Sequence, residues 1–550
     1  MIFSNNIRIR NIRMLQFLSV FVSLITIVLA VELDYEFEYS YTLGEFHEND
    51  YSRNIDGMDG SKGGDNGRGR GGPHNPSKNV NPIDLTNVVQ LTESTPVKDS
   101  INYNGMLVYI FEPDISSEWT HSYQLLVYIS ASLCQLPSDW NTSSSDNGLS
   151  LYYTFNRTVA AEGLINMMSP LSFTNGYAEG LAEIEMQENL TNYTLYMVVL
   201  PDDCDQCTDD SSWVYEFAVS QKNLLFLYDS DPYISVVDVD YNSVIFEAGG
   251  INFGSNRSYG IYIFEDGNSI PTSLNQSWCA ISESTEYEMK IDIAKNTTLS
   301  IENAFIVSGL EMAKRYLAVL VVTFTGMPYG GGVFQQYGFT MSTSKACKLA
   351  YNLDFCDEVS YAIPVSTDFY NGDETWAQMI AAYDNYSESL YTPFEYAMQQ
   401  IPCDTELDAR YSPIRDCDDC KYSYKQWLCA VTIPRCISQS HAGPQNKLYA
   451  AGKGRNSFIA NTINPPLEYA EVLPCLNVCQ AIVRDCPSDF GFQCPSRADL
   501  VGLSYGDPTV DDDITAAGIS ITTDSTGSFE TYRVCNYIGE KNLPNTTSDS

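Results

Sequence analysis

Between residues 106 and 343 the apolar positions come in short runs rich in β-branched and aromatic side chains, separated by turn residues. Leu107–Ile110, Tyr123–Ile129, Leu151–Phe155, Leu195–Leu200, Val214–Val219, Tyr233–Val239, Tyr259–Phe264, Tyr287–Ile293 and Tyr316–Val322 all read as strands. This much strand suits two β-sandwiches or one large one, and predicts β-rich domains over 99–220 and 221–343, divided near Gln221. The period then changes. Trp376, Met379, Ile380, Tyr383, Leu390, Phe394, Ala397, Met398 and Ile401 recur every three or four residues, which is one face of a helix. Pro393 inside that pattern predicts a kink or a split into two helices. Further helices are expected over Asp418–Cys429 and Leu476–Cys486. Residues 344–540 therefore read as a disulfide-rich, mainly α-helical cysteine-rich domain.

Cysteine placement supports this division. Twelve of the sixteen cysteines fall between Cys347 and Cys535. Cys417 and Cys420 have C-x-x-C spacing, but no second such pair or histidine pair stands near to complete a zinc site. A disulfide framework is the better reading in an oxidising compartment. In the β-rich region, Cys134 and Cys279 are placed to bridge the two halves. Cys204 and Cys207 sit in an acidic loop with no thioredoxin-like pattern around them, which predicts a local disulfide.

The N-terminus indicates that compartment. Arg8, Arg10 and Arg13 precede an apolar run from Met14 to Val31, with small residues at its exit. Residues 1–30 read as a secretory signal peptide, with a retained anchor as the alternative because 18 residues is the lower edge of a span. Tyr316–Met327 is too short to span. Residues 31–98 form an N-terminal segment whose stretch 49–82 is a Gly-rich, disordered linker. The tail 541–550 is polar, unlike a lipid-anchor signal. Nine sequons follow the leader, at Asn141, Asn156, Asn189, Asn192, Asn256, Asn275, Asn296, Asn385 and Asn545, and predict a glycoprotein.

Charge narrows the partners. The formal net charge is −40, and −43 without residues 1–30, which hold three arginines and no acids. Such a surface repels nucleic acid and concentrates cations. No cofactor is expected. Four histidines and no nucleophile-elbow, zincin or phosphate-loop pattern argue against an enzyme, and no catalytic residue is assigned. Asp202, Asp203, Asp205, Asp209 and Asp210, and separately Asp511–Asp513, are acidic loops without EF-hand spacing, so no specific metal site is expected.

Two sets of residues carry a resemblance. Cys347-x8-Cys356, Cys420-x8-Cys429-x6-Cys436, Cys475-x3-Cys479-x6-Cys486, Cys494 and Cys535, with Trp427-Leu-Cys and Leu473-Pro-Cys, resemble a frizzled-type cysteine-rich domain. Asp408-Ala-Arg-Tyr-Ser-Pro413, Cys417-Asp-Asp-Cys420, Trp427–Cys436, Arg484–Phe490 and Cys535-Asn-Tyr-Ile-Gly539 resemble the fungal mating-pheromone-induced-death family, the stretch-activated calcium-channel component. The strong resemblance covers roughly 345–540; the β-rich region resembles the family weakly, through Cys134-Gln-Leu-Pro and Trp278-Cys279-Ala.

The frizzled-type framework implies the pairs Cys347–Cys436, Cys356–Cys429, Cys420–Cys486, Cys475–Cys535 and Cys479–Cys494. Cys403–Cys417 is then an extra bridge, unless Cys403 replaces Cys420 and leaves Cys417 and Cys420 to pair locally. The family implies an auxiliary subunit on the extracellular face of the plasma membrane, passing through the endoplasmic reticulum and assembling with a large voltage-gated-type pore subunit. It implies calcium influx under mating and stress. The alternative is a receptor-like module that binds a lipid or protein ligand through the cysteine-rich domain. Trp427, between Cys420 and Cys436, is either core or a rigid anchor for a partner. Tyr424 and Lys425, with Asp418, Asp419 and Lys421, are expected beside it on an exposed polar rim.

Overall fold

The computed structural model describes residues 82–538, except 84, 86–87, 116–123, 141–144, 187–192, 205–206, 249–256, 267–271, 284–288, 293–303, 325–329, 403–410, 508–518 and 524–528. The signal segment, the Gly-rich linker up to residue 81, the polar tail and Cys403 lie outside the described residues. So do Asn141, Asn189, Asn192, Asn256, Asn296 and Asn545.

The first strands are β1 (Val89–Gln90), β2 (Val97–Asn102), β3 (Leu107–Phe111), β4 (Gln124–Gln135) and β5 (Asp146–Thr154). They are followed by β6 (Ser169–Thr174), β7 (Tyr177–Glu185), β8 (Leu195–Pro201) and β9 (Ser212–Ser220). One sheet joins them in the order β1-β3-β8-β5-β6-β7-β4-β9-β2. In β8 every residue is buried. Leu195, Met197 and Val199 enter a core with Trp213 and Phe217, while Tyr196, Val198 and Leu200 enter another with Tyr152 and Ile165. Alternate residues of a strand face opposite ways, so an unbroken apolar run marks a strand covered on both sides.

The next strands are β10 (Phe226–Asp229), β11 (Ile234–Val239), β12 (Ser243–Ala248), β13 (Arg257–Glu265) and β14 (Met289–Asp292). β15 (Ala304–Ser308), β16 (Arg315–Phe324), β17 (Gly330–Phe334) and β18 (Tyr337–Thr340) complete this part. β13 and β16 pair antiparallel from Arg257 opposite Phe324 to Glu265 opposite Tyr316. Tyr262, Phe264, Val319 and Val321 join the core of the first sheet. Ile261, Ile263, Ala318 and Leu320 pack instead with Val244, Phe246 and Phe305 of the three-stranded sheet β11-β12-β15. The β13–β16 layer is thus a wall between two cores, and residues on both sides of Gln221 build the first of them. Cys134 of β4 is bonded to Cys279 of the helix Trp278–Glu283, and Ser132 Oγ accepts from Cys279 N at 2.9 Å. Cys204 and Cys207 form a local bridge.

The cysteine-rich region mixes helices with short strands. β19 (Cys347–Ala350) and β20 (Tyr361–Pro364) form a hairpin. β21 (Arg435–Ile437), β22 (Lys447–Tyr449) and β23 (Tyr469–Val472) form a sheet in the order β21-β23-β22. The helices are Thr367–Asn371, Trp376–Met398, Cys417–Thr432, Leu476–Asp485 and Ala498–Ser504. β24 (Ile519–Thr523) and β25 (Phe529–Arg533) close the described chain, and β25 pairs with β18. The region is disulfide-rich with some helices, and the expectation of a mainly α-helical domain is not borne out, because short strands and irregular chain share it with the helices. Strands of three or four residues are too short to leave a period of two in the sequence.

The long helix Trp376–Met398 is a single element despite Pro393. Thr375 and Gln378 form a capping box at its start, and Phe394 and Met398, beyond the proline, are buried against Cys420 and Ile482. That packing holds the last turns in place where propensity alone would end them. Among the described residues no helix is long and apolar enough to cross a membrane.

Two aspartates clasp the cysteine-rich region to the strand-rich half. Asp238 Oδ2 accepts from Ala362 N of β20 at 3.0 Å and pairs with Arg435 of β21 at 3.0 Å. Asp240 Oδ2 accepts from Leu349 N of β19 at 3.0 Å, and its Oδ1 accepts from Asn242 N and Ser243 N. Val237, Ile245 and Ala304 pack under this clasp against Leu349, Ala362 and the Cys347–Cys436 bridge.

Candidate partner-docking face

The helix Cys417–Thr432 positions the candidate residues. Asp416 caps it: its carboxylate accepts from Asp418 N and Asp419 N, and Asp419 Oδ2 accepts in return from Asp416 N. Acids in the first turn suit the positive end of the helix dipole. Two disulfides pin the helix, Cys420–Cys486 to the helix Leu476–Asp485 and Cys356–Cys429 to the segment after β19. Cys475–Cys535 and Cys479–Cys494 brace the neighbouring backbone. Cys417 is disulfide-bonded as well.

Trp427 is half-buried. Its indole N–H donates to Tyr505 Oη at 2.9 Å, and its ring packs on the Cys475–Cys535 bridge. Tyr424 is not the exposed rim residue the sequence suggested. Its ring stacks on Phe394, with centroids 3.7 Å apart and planes 12° from parallel, and it lies beside Tyr391, Trp427 and Phe492. Burial pushes its hydroxyl pKa up. Lys425 is held at 2.7 Å from Asp357 and over the Phe355 ring. The reason is geometric: a helix places residues 424 and 427 three apart on one face, so both turn toward the aromatic cluster. Of the expected rim Asp418 and Lys421 are exposed, with Lys421 Nζ 3.1 Å from Asp418 Oδ1, and Tyr422 joins them in place of Tyr424.

Behind this face, Asp485 is buried. Burial alone would raise its pKa, but the Arg484 guanidinium at 2.6 Å, the Ser423 hydroxyl at 2.5 Å and Arg415 at 3.1 Å together hold it below the usual carboxylate range. Phe492 and Tyr505 come from segments far from Phe394 in the chain, and no local pattern marked them; Phe394 was marked only as part of a helical face. Phe490 and Asp485 did stand inside the Arg484–Phe490 motif.

Among the described residues the acidic-loop carboxylates do not gather around a common point. Asp202 accepts from Ser150 Oγ at 3.0 Å, and Asp209 is bonded to Asn104; Asp205 and Asp511–Asp513 lie outside the described residues. Among the described residues the one metal-sized group of His, Cys, Asp and Glu is Cys134, Cys279 and Glu283, and its two sulfurs are joined to each other.

Comparison with known proteins places these features. The profile of the Mid1 family, described as a stretch-activated Ca2+-permeable channel component, matches residues 126–540. The Saccharomyces cerevisiae stretch-activated cation channel MID1 is 30% identical over 516 residues, which is 84% of this chain and 88% of that protein. The Schizosaccharomyces pombe stretch-activated cation channel yam8 is 30% identical over 53% of this chain and 61% of its own length. The similarity therefore runs through the strand-rich half, well beyond the cysteine-rich region that carried the strong resemblance in sequence. The chain belongs to the Mid1 family of stretch-activated Ca2+-permeable channel components.

Proposed function

We propose that this chain is an auxiliary subunit of a fungal plasma-membrane calcium channel, exposed on the extracellular face and assembled with a large voltage-gated-type pore subunit. The family match over residues 126–540 carries this reading, since it joins the strand-rich and cysteine-rich parts in one channel component. Seven disulfide bridges between described residues fit an oxidising compartment reached by way of the endoplasmic reticulum. The excess of acids raises the local cation concentration. In this reading the parts are a strand-rich 99–343, whose stretches 99–220 and 221–343 share a core, and a frizzled-like 344–540.

We place the docking surface on the helix that carries Tyr424, Lys425 and Trp427. The half-buried aromatics there stiffen the helix, and its exposed flank meets the partner. Asp418→Lys with Lys421→Glu reverses an exposed pair while keeping its attraction; losing an acid from the first turn costs about 0.3–1 kcal/mol, small beside the two disulfides that pin the helix, so the fold should survive. Affinity purification in mild detergent should recover less pore subunit with this variant, at normal secretion. Unchanged recovery would move the docking surface elsewhere. Wild-type protein that brings down no large multi-span partner would favour the receptor-like alternative.

Glycosylation is expected at Asn156 and Asn385, which are exposed. Asn156 caps the helix Arg157–Ala161 through Oδ1, accepting from Thr158 N and Val159 N, so its amide nitrogen stays outside that cap. Asn275 is half-buried, with Oδ1 enclosed, and should carry little glycan. Site-resolved mass spectrometry before and after glycosidase treatment checks this; full occupancy at Asn275 with none at Asn385 would refute it.

A further inference from the structure

A cavity of about 270 Å³ lies where β11, β18, β21 and β25 meet. Its wall carries Arg435 and Arg533 together with Asp238, His441 and Asn446. Two arginines on one cavity are notable in a chain of net charge −40.

Arg435 is already matched. Its guanidinium pairs with Asp238 and donates to Val237 O. Asp238 in turn accepts from Val239 N at 2.9 Å and Ala362 N at 3.0 Å. Arg533 has no direct partner: among the described residues its side chain makes no hydrogen bond or close ion pair, and Asp238 and Glu247 act on it only from a distance. Burial and the neighbouring Arg435 hold it below the ordinary arginine range, at about 9, so it is still charged at neutral pH. Asn446 supplies a second open group. Its Oδ1 accepts from Gly443 N at 2.7 Å, while Nδ2 is buried without a partner.

An unmatched cation and an unmatched N–H donor on one wall are complementary to an anion. The apolar remainder of the wall, including Val236 and Val472, lowers the local dielectric and strengthens such contacts. The cavity is smaller than sites for drug-sized ligands. We propose that it binds a small oxyanion, a phosphate or sulfate group, through Arg533 and Asn446 Nδ2, at the joint between the strand-rich half and the cysteine-rich region. Arg533 ends β25, whose described pairing to β18 is the single register Tyr337 opposite Phe529. A bound anion there would fasten the C-terminal strand to the joint.

The test is calorimetric titration of the full secreted chain with sodium phosphate and sodium sulfate at constant ionic strength. Wild type should bind saturably. Asn446→Asp keeps the acceptor for Gly443 N and replaces the open donor with a carboxylate. It should weaken binding about tenfold or more, with an unchanged melting temperature in phosphate-free buffer. Arg533→Gln should do the same, and Arg533→Lys should retain part of the binding. Glycerol 3-phosphate separates the sources: binding equal to phosphate assigns a lipid-type headgroup, and its exclusion while phosphate binds assigns the free ion. Absence of saturable binding by wild type overturns the proposal. So does equal binding by wild type, Asn446→Asp and Arg533→Gln, because a salt effect common to all three is only general exclusion from the surface.

Discussion

Replacing Cys475 and Cys535 together with serine is expected to leave the protein largely unsecreted. The bridge closes a loop of 60 residues, and chain-entropy arguments assign such a crosslink about 4 kcal/mol. That is a large part of the stability of an ordinary domain, about 5–15 kcal/mol. The local setting adds to the loss. Cys475 N donates to Asn536 O, Asn536 N to Leu473 O, and Leu476 N to Gly506 O, all within 2.8–2.9 Å. Gly506 approaches so closely that a Cβ there would stand 2.6 Å from Cys535 Cβ. Trp427 and Tyr537 pack on the bridge itself. Removing two sulfurs therefore loosens the backbone crossing that supports the candidate docking helix. Cys204→Ser with Cys207→Ser is the comparison, because that bridge closes a separation of only 3 residues and should cost much less. Secreted yield and protease resistance read both. Equal yield and resistance for the 475/535 double variant and wild type would refute the expectation.

The second large effect is expected at Asp238. Asp238→Ala should destabilise the chain by about 3–5 kcal/mol, the usual cost of removing one partner of a buried ion pair. Side-chain exposures of 4% for Arg435 and 7% for Asp238 put the pair in that class. The substitution leaves a buried guanidinium without its counterion and Ala362 N without its acceptor. Asp238→Ala combined with Arg435→Met should recover part of the loss, since the stranded charge is then gone. The shift of the denaturant midpoint measures this. A single variant that unfolds with wild type, or a double variant worse than the sum of its parts, would show that the pair does not join the two regions.

The strands of the N-terminal half were legible because layered sheets cover them. Leu195–Leu200 and Tyr316–Val322 are apolar on both faces, and only burial on both sides permits that. The helices were legible for the same reason, except at Pro393, where the contacts of Phe394 and Met398 outweigh the local break. The short strands β19–β23 carried no periodic signal. Asp238 and Asp240 looked like ordinary acids of an acidic chain, because their partners Arg435, Ala362 and Leu349 lie more than a hundred residues away. The candidate docking helix was found through its cysteines, but its orientation was not. Which face turns inward depends on Phe394 and Phe492, which stand in other segments. Family membership was legible in the cysteine motifs, while its extension through the strand-rich half was not, since burial there constrains residue class more than identity.

Calcium accumulation in intact cells tests whether this chain acts as a component of a calcium channel. Cells lacking the chain but retaining the proposed pore subunit should take up markedly less calcium under mating or endoplasmic-reticulum stress, and re-expressed wild type should restore it. Restoration should fail with the Cys475→Ser, Cys535→Ser variant. Normal stress-induced accumulation in the deletion strain, with the pore subunit present, would contradict the account.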